Sequence, residues 1–201
     1  MNTNDFKPLP ISLPDVFKMQ QELKFQFEPK AKDDFLNFDI DTFESQEVIK
    51  KYAWRITEEL VEMLEAFYMD AKPGEKEHVY EEGIDAFNFF IELLCLMGVS
   101  PDSEFLSVRP EDFHYIEDIA DPEEAAHDII FNLGMFCNLL KSREWRRSQY
   151  LVDLYKVWPR VGMIWGSFMK LFSTFGWSTK DLCDWYSLKY QVNKFRLETS
   201  Y

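Results

Sequence analysis

The sequence contains little of what strands, disulfides and glycine-rich loops require. Only 7 of its 201 residues are glycine and only 3 are cysteine, and no stretch of any length alternates apolar and polar residues. Apolar residues instead recur at three-to-four spacing, which is the period of a helix that faces a core. With 46% hydrophobic residues, a chain of this length can bury a sizeable core without a disulfide or a metal. We therefore expect a single all-α domain over residues 1–201.

Targeting and redox signals are also missing. Cys95, Cys137 and Cys183 are odd in number and widely separated, which is typical of reduced cysteines inside a cell. Residues 1–7 are polar and do not resemble a signal peptide. The most apolar run, residues 87–97, is too short to span a bilayer and contains Glu92. These features predict a soluble, cytoplasmic protein that does not enter a membrane.

The chain has a large excess of acidic residues. The chain has 36 acidic and 22 basic residues, a formal net charge of -14. Such a chain repels a nucleic-acid backbone, so we expect no direct nucleic-acid binding. It can still bind a polyphosphate if divalent cations neutralise protein carboxylates and substrate oxygens at one place.

Apolar periodicity and capping residues predict six helices. Asp15 is expected to cap the first, Asp121 and Pro122 to begin the fourth, Pro159 to break the fifth, and Ser178 with Asp181 to begin the last. The predicted helices cover residues 15–25, 46–68, 77–97, 122–141, 144–175 and 179–197. Residues 27–44 and 99–120 are expected to be mainly loop.

Two acidic pairs occur at a spacing of three residues. Glu59 and Glu62 lie on the second predicted helix, and Glu82 and Asp85 lie on the third. Residues three apart share one side of a helix. The midpoint between the pairs falls near Lys72, in the predicted turn, so an antiparallel hairpin would bring the four carboxylates to the same height.

Four facing carboxylates repel one another unless some are protonated or a cation binds. Oxygen ligands without cysteine or histidine favour Mg²⁺, with Mn²⁺ as an alternative. Such ions can hold an attacking water and a leaving phosphate, and a nearby carboxylate can act as the general base.

A simpler interpretation stays open at this point. Acidic residues at helical spacing usually form a solvated helix face, and this explains Glu62 well because Glu62 lies away from the apolar stripe of its helix. It explains Asp85 less well, because the face that Asp85 begins continues with Phe89, Leu93 and Leu96. An acid at the head of an apolar face suggests partial burial, where its charge needs compensation.

The segments Glu59-x-x-Glu62 and Glu82-Gly-Ile-Asp85 resemble the metal-binding motifs of the all-α dUTP pyrophosphatase and MazG-like superfamily. The C-terminal segment is similar to the motif Y-x-x-K-N-x-x-N-x-F-R-x-x-x-G-Y of the dimeric dUTPases. The matching residues there include Tyr186, Lys189, Asn193, Phe195, Arg196 and Tyr201. Residues 17–23, which contain Gln20, resemble the helix whose glutamine contacts the pyrimidine in that family.

The resemblance implies a dimeric dUTPase-type helical bundle that hydrolyses dUTP, or dCTP, to the monophosphate and pyrophosphate. It implies Mg²⁺ ligation by Glu59, Glu62, Glu82 and Asp85, and Glu59 is also expected to orient the hydrolytic water. Substrate contacts are implied for six residues, namely Gln20, Asn88, Lys189, Asn193, Arg196 and Tyr201. It also implies a homodimer. Short members of this kind look like bacteriophage enzymes, which act in the host cytoplasm.

The sequence departs from the family pattern at several positions near the sugar and base. Lys24 replaces an asparagine, Asn88 replaces a histidine, Ser200 replaces a glycine, and a W-K-x-W-K segment is missing after the second helix. These differences affect the identity of the base more than the reaction. Hydrolysis of a modified or non-pyrimidine nucleotide is therefore one alternative. The other is a non-enzymatic acidic interaction protein that mimics nucleic acid by its charge.

Similar alternatives apply to single residues. Lys189, Asn193 and Arg196 at helical spacing could be one solvated stripe, and Gln20 alone carries no functional signal. Five aromatic residues in the fifth helix are most simply core residues rather than a stacking platform. They are Trp158, Trp165, Phe168, Phe172 and Phe175. The three histidines have no metal-ligand spacing and are assigned no role.

Overall fold

The described part of the chain is all-helical. The computed structural model describes residues 6–27, 38–69, 76–113, 121–142 and 151–199, and within these ranges no residue lies in a strand. The α-helices are α1 (Leu13–Phe27), α2 (Phe43–Met69), α3 (Lys76–Leu96), α4 (Pro122–Leu139), α5 (Leu154–Thr174) and α6 (Thr179–Thr199). Two short 3₁₀ turns, Glu104–Leu106 and Pro110–Phe113, follow α3. The predicted all-α class is confirmed.

Helices α1 and α6 begin with the same capping arrangement. The backbone N–H and hydroxyl of Ser178 donate to the Asp181 carboxylate at 2.8 and 2.6 Å, which confirms the predicted start of α6. Ser12 makes the same two bonds to Asp15. Asp15 is therefore not the cap itself, as the sequence suggested, but the third residue of a helix that begins at Leu13. In both motifs the acid satisfies a backbone donor before the first turn.

Helix α5 differs from its prediction. It begins at Leu154, ten residues later than expected, and residues 144–150 of the predicted segment lie outside the described ranges. The expected break at Pro159 is wrong, because Pro159 lies inside a continuous helix. Pro159 removes one hydrogen bond to the carbonyl of Tyr155. Tyr155 is 94% exposed, so water can replace that bond in the first turns of the helix.

Helix α4 begins as predicted, because the Asp121 side chain accepts a hydrogen bond from the Glu124 N–H at 2.9 Å. Helix α2 begins three residues before its predicted start. The Thr42 hydroxyl accepts a hydrogen bond from the Ser45 N–H, so Thr42 serves as the N-cap. The predicted turn around Lys72 lies outside the described residues.

Helices α2 and α3 form an antiparallel pair around which the other helices pack. Glu59 on α2 is paired in space with Asp85 on α3. Four residues further along α2, the Met63 sulfur lies 3.6 Å from the point where a Cβ on Gly83 would sit. The contacts therefore run in opposite directions along the two helices. A Cβ on Gly83 would lie only 3.3 Å from the Phe175 ring, so the glycine leaves room for that ring against α3.

The aromatic core lies between α3 and α5. The Phe87 ring contacts Trp165, Phe168 and Phe172 at centroid distances of 5.2–5.8 Å, and these four residues are fully buried. Trp158 and Phe175 are partly buried against the same core, so the core assignment of the α5 aromatics is confirmed. Within the described residues, no helix combines the length and apolar character that a membrane span requires.

Helices α1 and α6 pack together over the opposite side of α3. Helices α1, α2, α3 and α6 thereby surround a cavity of about 310 Å³. The aromatic core fixes α3 from one side, so the polar residues on its other side face this cavity.

Candidate functional site

Most of the site residues that the sequence predicted line the cavity. Seven of the predicted site residues line it, namely Gln20, Glu59, Asp85, Asn88, Lys189, Asn193 and Arg196. Leu23, Lys24, Phe89 and Glu92 complete the described lining. Four separate helices supply these side chains, so the grouping depends on tertiary packing.

Three carboxylates form a cluster at one end of the cavity. Glu59, Glu82 and Asp85 each offer an oxygen atom such that all three atoms lie within 4.8 Å of one another. The antiparallel pairing brings Glu59 of α2 opposite the Glu82–Asp85 face of α3. We call these three residues the carboxylate cluster. The sequence-based expectation that the two acidic pairs meet is supported for three of the four residues.

Glu62 and Tyr201 are the two predicted residues that the structure does not bring to this place. Glu62 is exposed and is not among the acids that come within 4.8 Å. Its charge still acts weakly on Glu59. Tyr201 lies outside the described residues, so its predicted substrate contact stays a prediction.

Burial raises the pKa of all three acids of the carboxylate cluster, and mutual repulsion raises the pKa values of Glu59 and Glu82 further. Burial, followed by the negative charges of Asp85 and Glu82, raises the pKa of Glu59 to about 8. The pKa of Glu82 is raised by burial and by the charge of Asp85. The pKa of Asp85 is raised by burial, while Lys189 opposes that rise. Three acids this close cannot all ionise without a compensating cation.

Two neighbours hold Asp85 in place. The Lys189 ammonium lies 2.6 Å from Oδ2 of Asp85, and the Asn88 amide donates to Oδ1 at 3.3 Å. Lys189 is only 9% exposed, so it is not part of a solvated stripe. The carbonyl oxygen of Asn88 is buried and has no hydrogen-bond partner among the described residues.

His78 is a neighbour that sequence reasoning missed. Its Nδ1 lies 3.2 Å from Oε1 of Glu82, one helical turn away on α3. The i,i+4 spacing of His78 and Glu82 was the available signal. His78 therefore orients one member of the carboxylate cluster from the solvent side. His114 lies outside the described residues.

A second polar network lies at the other end of the cavity. The Tyr186 hydroxyl donates to Oε1 of Gln20 at 2.7 Å, and Nε2 of Gln20 donates to Oε1 of Glu92 at 2.8 Å. The Lys24 ammonium lies 3.5 Å from Oε2 of Glu92. Burial raises the pKa of Glu92, and Lys24, Gln20 and Tyr52 oppose that rise. Gln20 is thus fixed in orientation at the cavity wall.

Glu92 is the main cavity residue that the sequence did not single out. A signal was present, because Glu92 is the only acid in the apolar run 87–97 and follows Asp85 by seven residues. That spacing is two helical turns, which returns the side chain to the same face. A single acid in such a run normally needs partners when it is buried.

The carboxylate cluster has the composition of a site for a hard divalent cation. It contains three oxygen ligands and no cysteine, and its neighbours supply one histidine and one lysine as outer contacts. Mg²⁺ usually takes one or two carboxylates, water and substrate phosphates. Three carboxylate oxygens lie within 4.8 Å of one another here, so the residues present fit a bound cation.

Comparison with known proteins gives no further assignment. No model of a protein family matches the chain, no curated protein matches it, and no solved structure matches it. The likeness to the all-α dUTP pyrophosphatases therefore depends on the short motifs alone, and the functional interpretation depends on the chemistry of the cavity.

Proposed function

We propose that the protein is a Mg²⁺-dependent pyrophosphohydrolase that cleaves a pyrimidine deoxynucleoside triphosphate to its monophosphate and pyrophosphate. The observation that carries the proposal is the carboxylate cluster, in which acids from two helices approach within 4.8 Å at the end of a cavity that Lys189 also lines. Mg²⁺, or Mn²⁺ in its place, would be held by Glu59, Glu82 and Asp85.

The reaction proposed is attack of water on the α-phosphorus. A bond forms from the water oxygen to phosphorus, and the bond from phosphorus to the pyrophosphate oxygen breaks. A bound divalent cation supplies charge neutralisation and lowers the pKa of the attacking water. Glu59 lines the cavity, and its carboxylate is the proposed general base that takes the water proton. No covalent intermediate with the protein is needed.

Helix α6 supplies the positive charge that the polyphosphate requires. Lys189, Asn193 and Arg196 occur at successive turns of α6 and line the cavity on one side. Lys189 neutralises Asp85 in the structure, and a cation bound to Asp85 would leave Lys189 available for a phosphate oxygen. Arg196 is exposed at the cavity mouth, where it can contact the terminal phosphates. Positioning and charge compensation carry most of such a reaction.

The nucleoside part would occupy the rest of the cavity. Leu23 and Phe89 provide apolar surface there, and Gln20 lies at the far wall. The cavity volume of about 310 Å³ lies in the range of small-molecule sites. Gln20 is in place to contact the base, as the family resemblance implies.

The proposed assembly is a homodimer. Helix α2 exposes Trp54, Val61 and Tyr68, which are seven residues apart and respectively 64%, 52% and 59% exposed. Residues seven apart lie on one stripe of a helix. An exposed apolar stripe of this kind supports pairing with a second copy of the chain.

The proposal is tested by pyrophosphate release from all common deoxynucleoside and ribonucleoside triphosphates, with Mg²⁺ and with a chelator. The wild type is expected to turn over a pyrimidine deoxynucleotide only with Mg²⁺. Glu59→Gln should lower turnover about 10²- to 10⁴-fold, the contribution typical of a general base. Glu65→Gln is the matched control, because Glu65 is exposed on the same helix.

Absence of turnover with every triphosphate, in a folded wild-type protein, would overturn the enzyme proposal. The acidic interaction protein would then be the better interpretation. Activity that survives chelation would instead exclude the metal-dependent mechanism.

A further inference from the structure

The Lys189 side chain is almost completely buried in the wall of the cavity. It is 11% exposed, and a buried lysine normally needs a partner for its charge. Among the described residues, its only ion-pair partner is Asp85, whose Oδ2 lies 2.6 Å from the ammonium. Lys189 therefore depends on a single carboxylate, and that carboxylate is also a proposed metal ligand.

Both carboxylate oxygens of Asp85 already have a donor beside them. Oδ2 faces the Lys189 ammonium, and Oδ1 accepts a hydrogen bond from the Asn88 amide at 3.3 Å. A Mg²⁺ ion binds a carboxylate oxygen at about 2.1 Å. If it bound Oδ2 with Lys189 in place, the two cations would lie less than about 5 Å apart in a partly buried site, where like charges repel strongly. The ammonium therefore opposes the entry of a divalent cation.

Helix α6 compensates the charge of the carboxylate cluster from one side. The charge of Lys189 opposes the rise in the pKa of Asp85 and of Glu82, and Arg196 acts on Asp85 in the same direction. Arg196 is exposed, whereas Lys189 is buried against the cluster. The Lys189 ammonium and a divalent cation thus compensate the same carboxylates, and either one reduces the need for the other.

We infer that Lys189 is an internal competitor of the divalent cation, so that metal binding at the carboxylate cluster has to displace its ammonium from Asp85. This inference depends on the proposed function, because it concerns the metal that the proposed reaction requires. The ion pair holds the metal affinity of the protein without substrate below the affinity that the three carboxylates alone would give. It is an autoinhibitory contact between α6 and α3.

Calorimetric titration with Mn²⁺ in the absence of nucleotide tests the competition. Lys189→Met removes the ammonium and should bind Mn²⁺ at least about tenfold more tightly than the wild type. Lys189→Arg keeps the positive charge and should stay within about threefold of the wild type. Lys194→Met is the matched control, because Lys194 is exposed on the same helix. It should change the Mn²⁺ affinity less than about twofold, since solvent screens its charge.

A second measurement follows the ammonium group itself and tests its displacement. A buried, ion-paired ammonium exchanges its protons slowly enough to give its own NMR signal in isotope-labelled protein, and the loss of that signal in Lys189→Arg assigns it. Saturating Mg²⁺ should move the Lys189 signal towards those of the exposed lysines or broaden it. An ammonium that shared Asp85 with the ion would keep its signal. If Lys189→Met does not fold, this measurement on the wild type decides.

The outcomes distinguish this inference from the proposed function. Equal Mn²⁺ affinities of the wild type and Lys189→Met, or an equal gain in Lys194→Met, overturn the inference and leave the pyrophosphohydrolase intact. An ammonium signal that stays unchanged at saturating Mg²⁺ does the same. Absence of Mn²⁺ binding in every variant also overturns the inference, and the turnover of triphosphates then decides the proposed function separately.

Discussion

Glu59 and Glu92 lie at opposite ends of one cavity, and burial raises the pKa of both. Their neighbours differ in sign. Asp85 and Glu82 add negative charge beside Glu59 and bring its pKa to about 8, whereas Lys24 and Gln20 oppose the effect of burial on Glu92. One end therefore has too much negative charge and suits a cation. At the other end, the charge of Glu92 is already compensated by Lys24.

Burial of an acid therefore does not by itself identify a metal site. The sign of the surrounding charge decides what kind of partner the acid can take. At the carboxylate cluster, a divalent cation would remove repulsion among three acids. Beside Glu92, a cation would compete with Lys24, which lies 3.5 Å away.

The strongest loss of activity is expected for Glu82→Gln, and Glu62→Gln is expected to lose much less. Glu82→Gln should lower kcat/KM at least about a hundredfold, because it removes a proposed metal ligand inside the carboxylate cluster. Glu62→Gln should lower it less than about tenfold, since Glu62 is exposed and lies outside the cluster. Steady-state kinetics at several Mg²⁺ concentrations measure both. Equal losses would show that Glu62 joins the cluster when metal binds, as the family motif implies.

The next effect concerns stability at the carboxylate cluster. Lys189→Met should lower the free energy of unfolding by about 2 kcal/mol, because it leaves Asp85 without its cation. Removing one partner of a fully buried ion pair costs about 3–5 kcal/mol. The expected loss here is smaller because the Asp85 side chain is 22% exposed. Urea denaturation measures the change. Lys170→Met, which removes a partly exposed lysine from Glu124 and Asp128, is the control and should cost less than about 1 kcal/mol.

Mg²⁺ should recover part of the stability that Lys189→Met loses, because a bound cation compensates Asp85 in place of the ammonium. A loss that is unaffected by Mg²⁺ would indicate that Asp85 does not contact the metal.

The smallest effect is a pH dependence that should occur only at the cluster end. The pKa of Glu59 rises from 4.5 to about 8 on folding, so the folded state binds its proton more tightly. The stability that this proton contributes is complete below pH 4.5 and is lost as the pH rises through about 8. Mg²⁺ competes with the proton, so the increase in Tm caused by Mg²⁺ should grow between pH 5.5 and 8.5.

Thermal unfolding at matched ionic strength, with and without Mg²⁺, measures this dependence. Glu59→Gln should flatten it, whereas Glu92→Gln should leave the Mg²⁺ dependence in place. A Mg²⁺ effect on Tm that is the same at every pH would contradict the assignment of the metal to the carboxylate cluster.

Local sequence features predicted most of the helical framework. The pairs Ser178–Asp181 and Asp121–Glu124 formed the expected caps, because capping is an interaction between residues only three apart. The prediction was poorer at Pro159, where the effect of the missing N–H depends on whether solvent reaches the carbonyl of Tyr155. Exposure is a property of the folded chain and cannot be obtained from the local sequence.

The residue types available to a site follow directly from the sequence. The spacing of three residues predicted that Glu82 and Asp85 share one side of a helix. The all-α class and the basic residues of α6 could also be predicted from the sequence. Helix packing places Glu59 in the carboxylate cluster and leaves Glu62 in solvent. It also brings Glu92 to Gln20 and Lys24. The rotation of α2 about its axis determines which of Glu59 and Glu62 faces α3. The packing of α1 on α3 determines the contacts of Glu92. Both follow from how apolar surfaces fit together across distant segments, which helical periodicity does not specify.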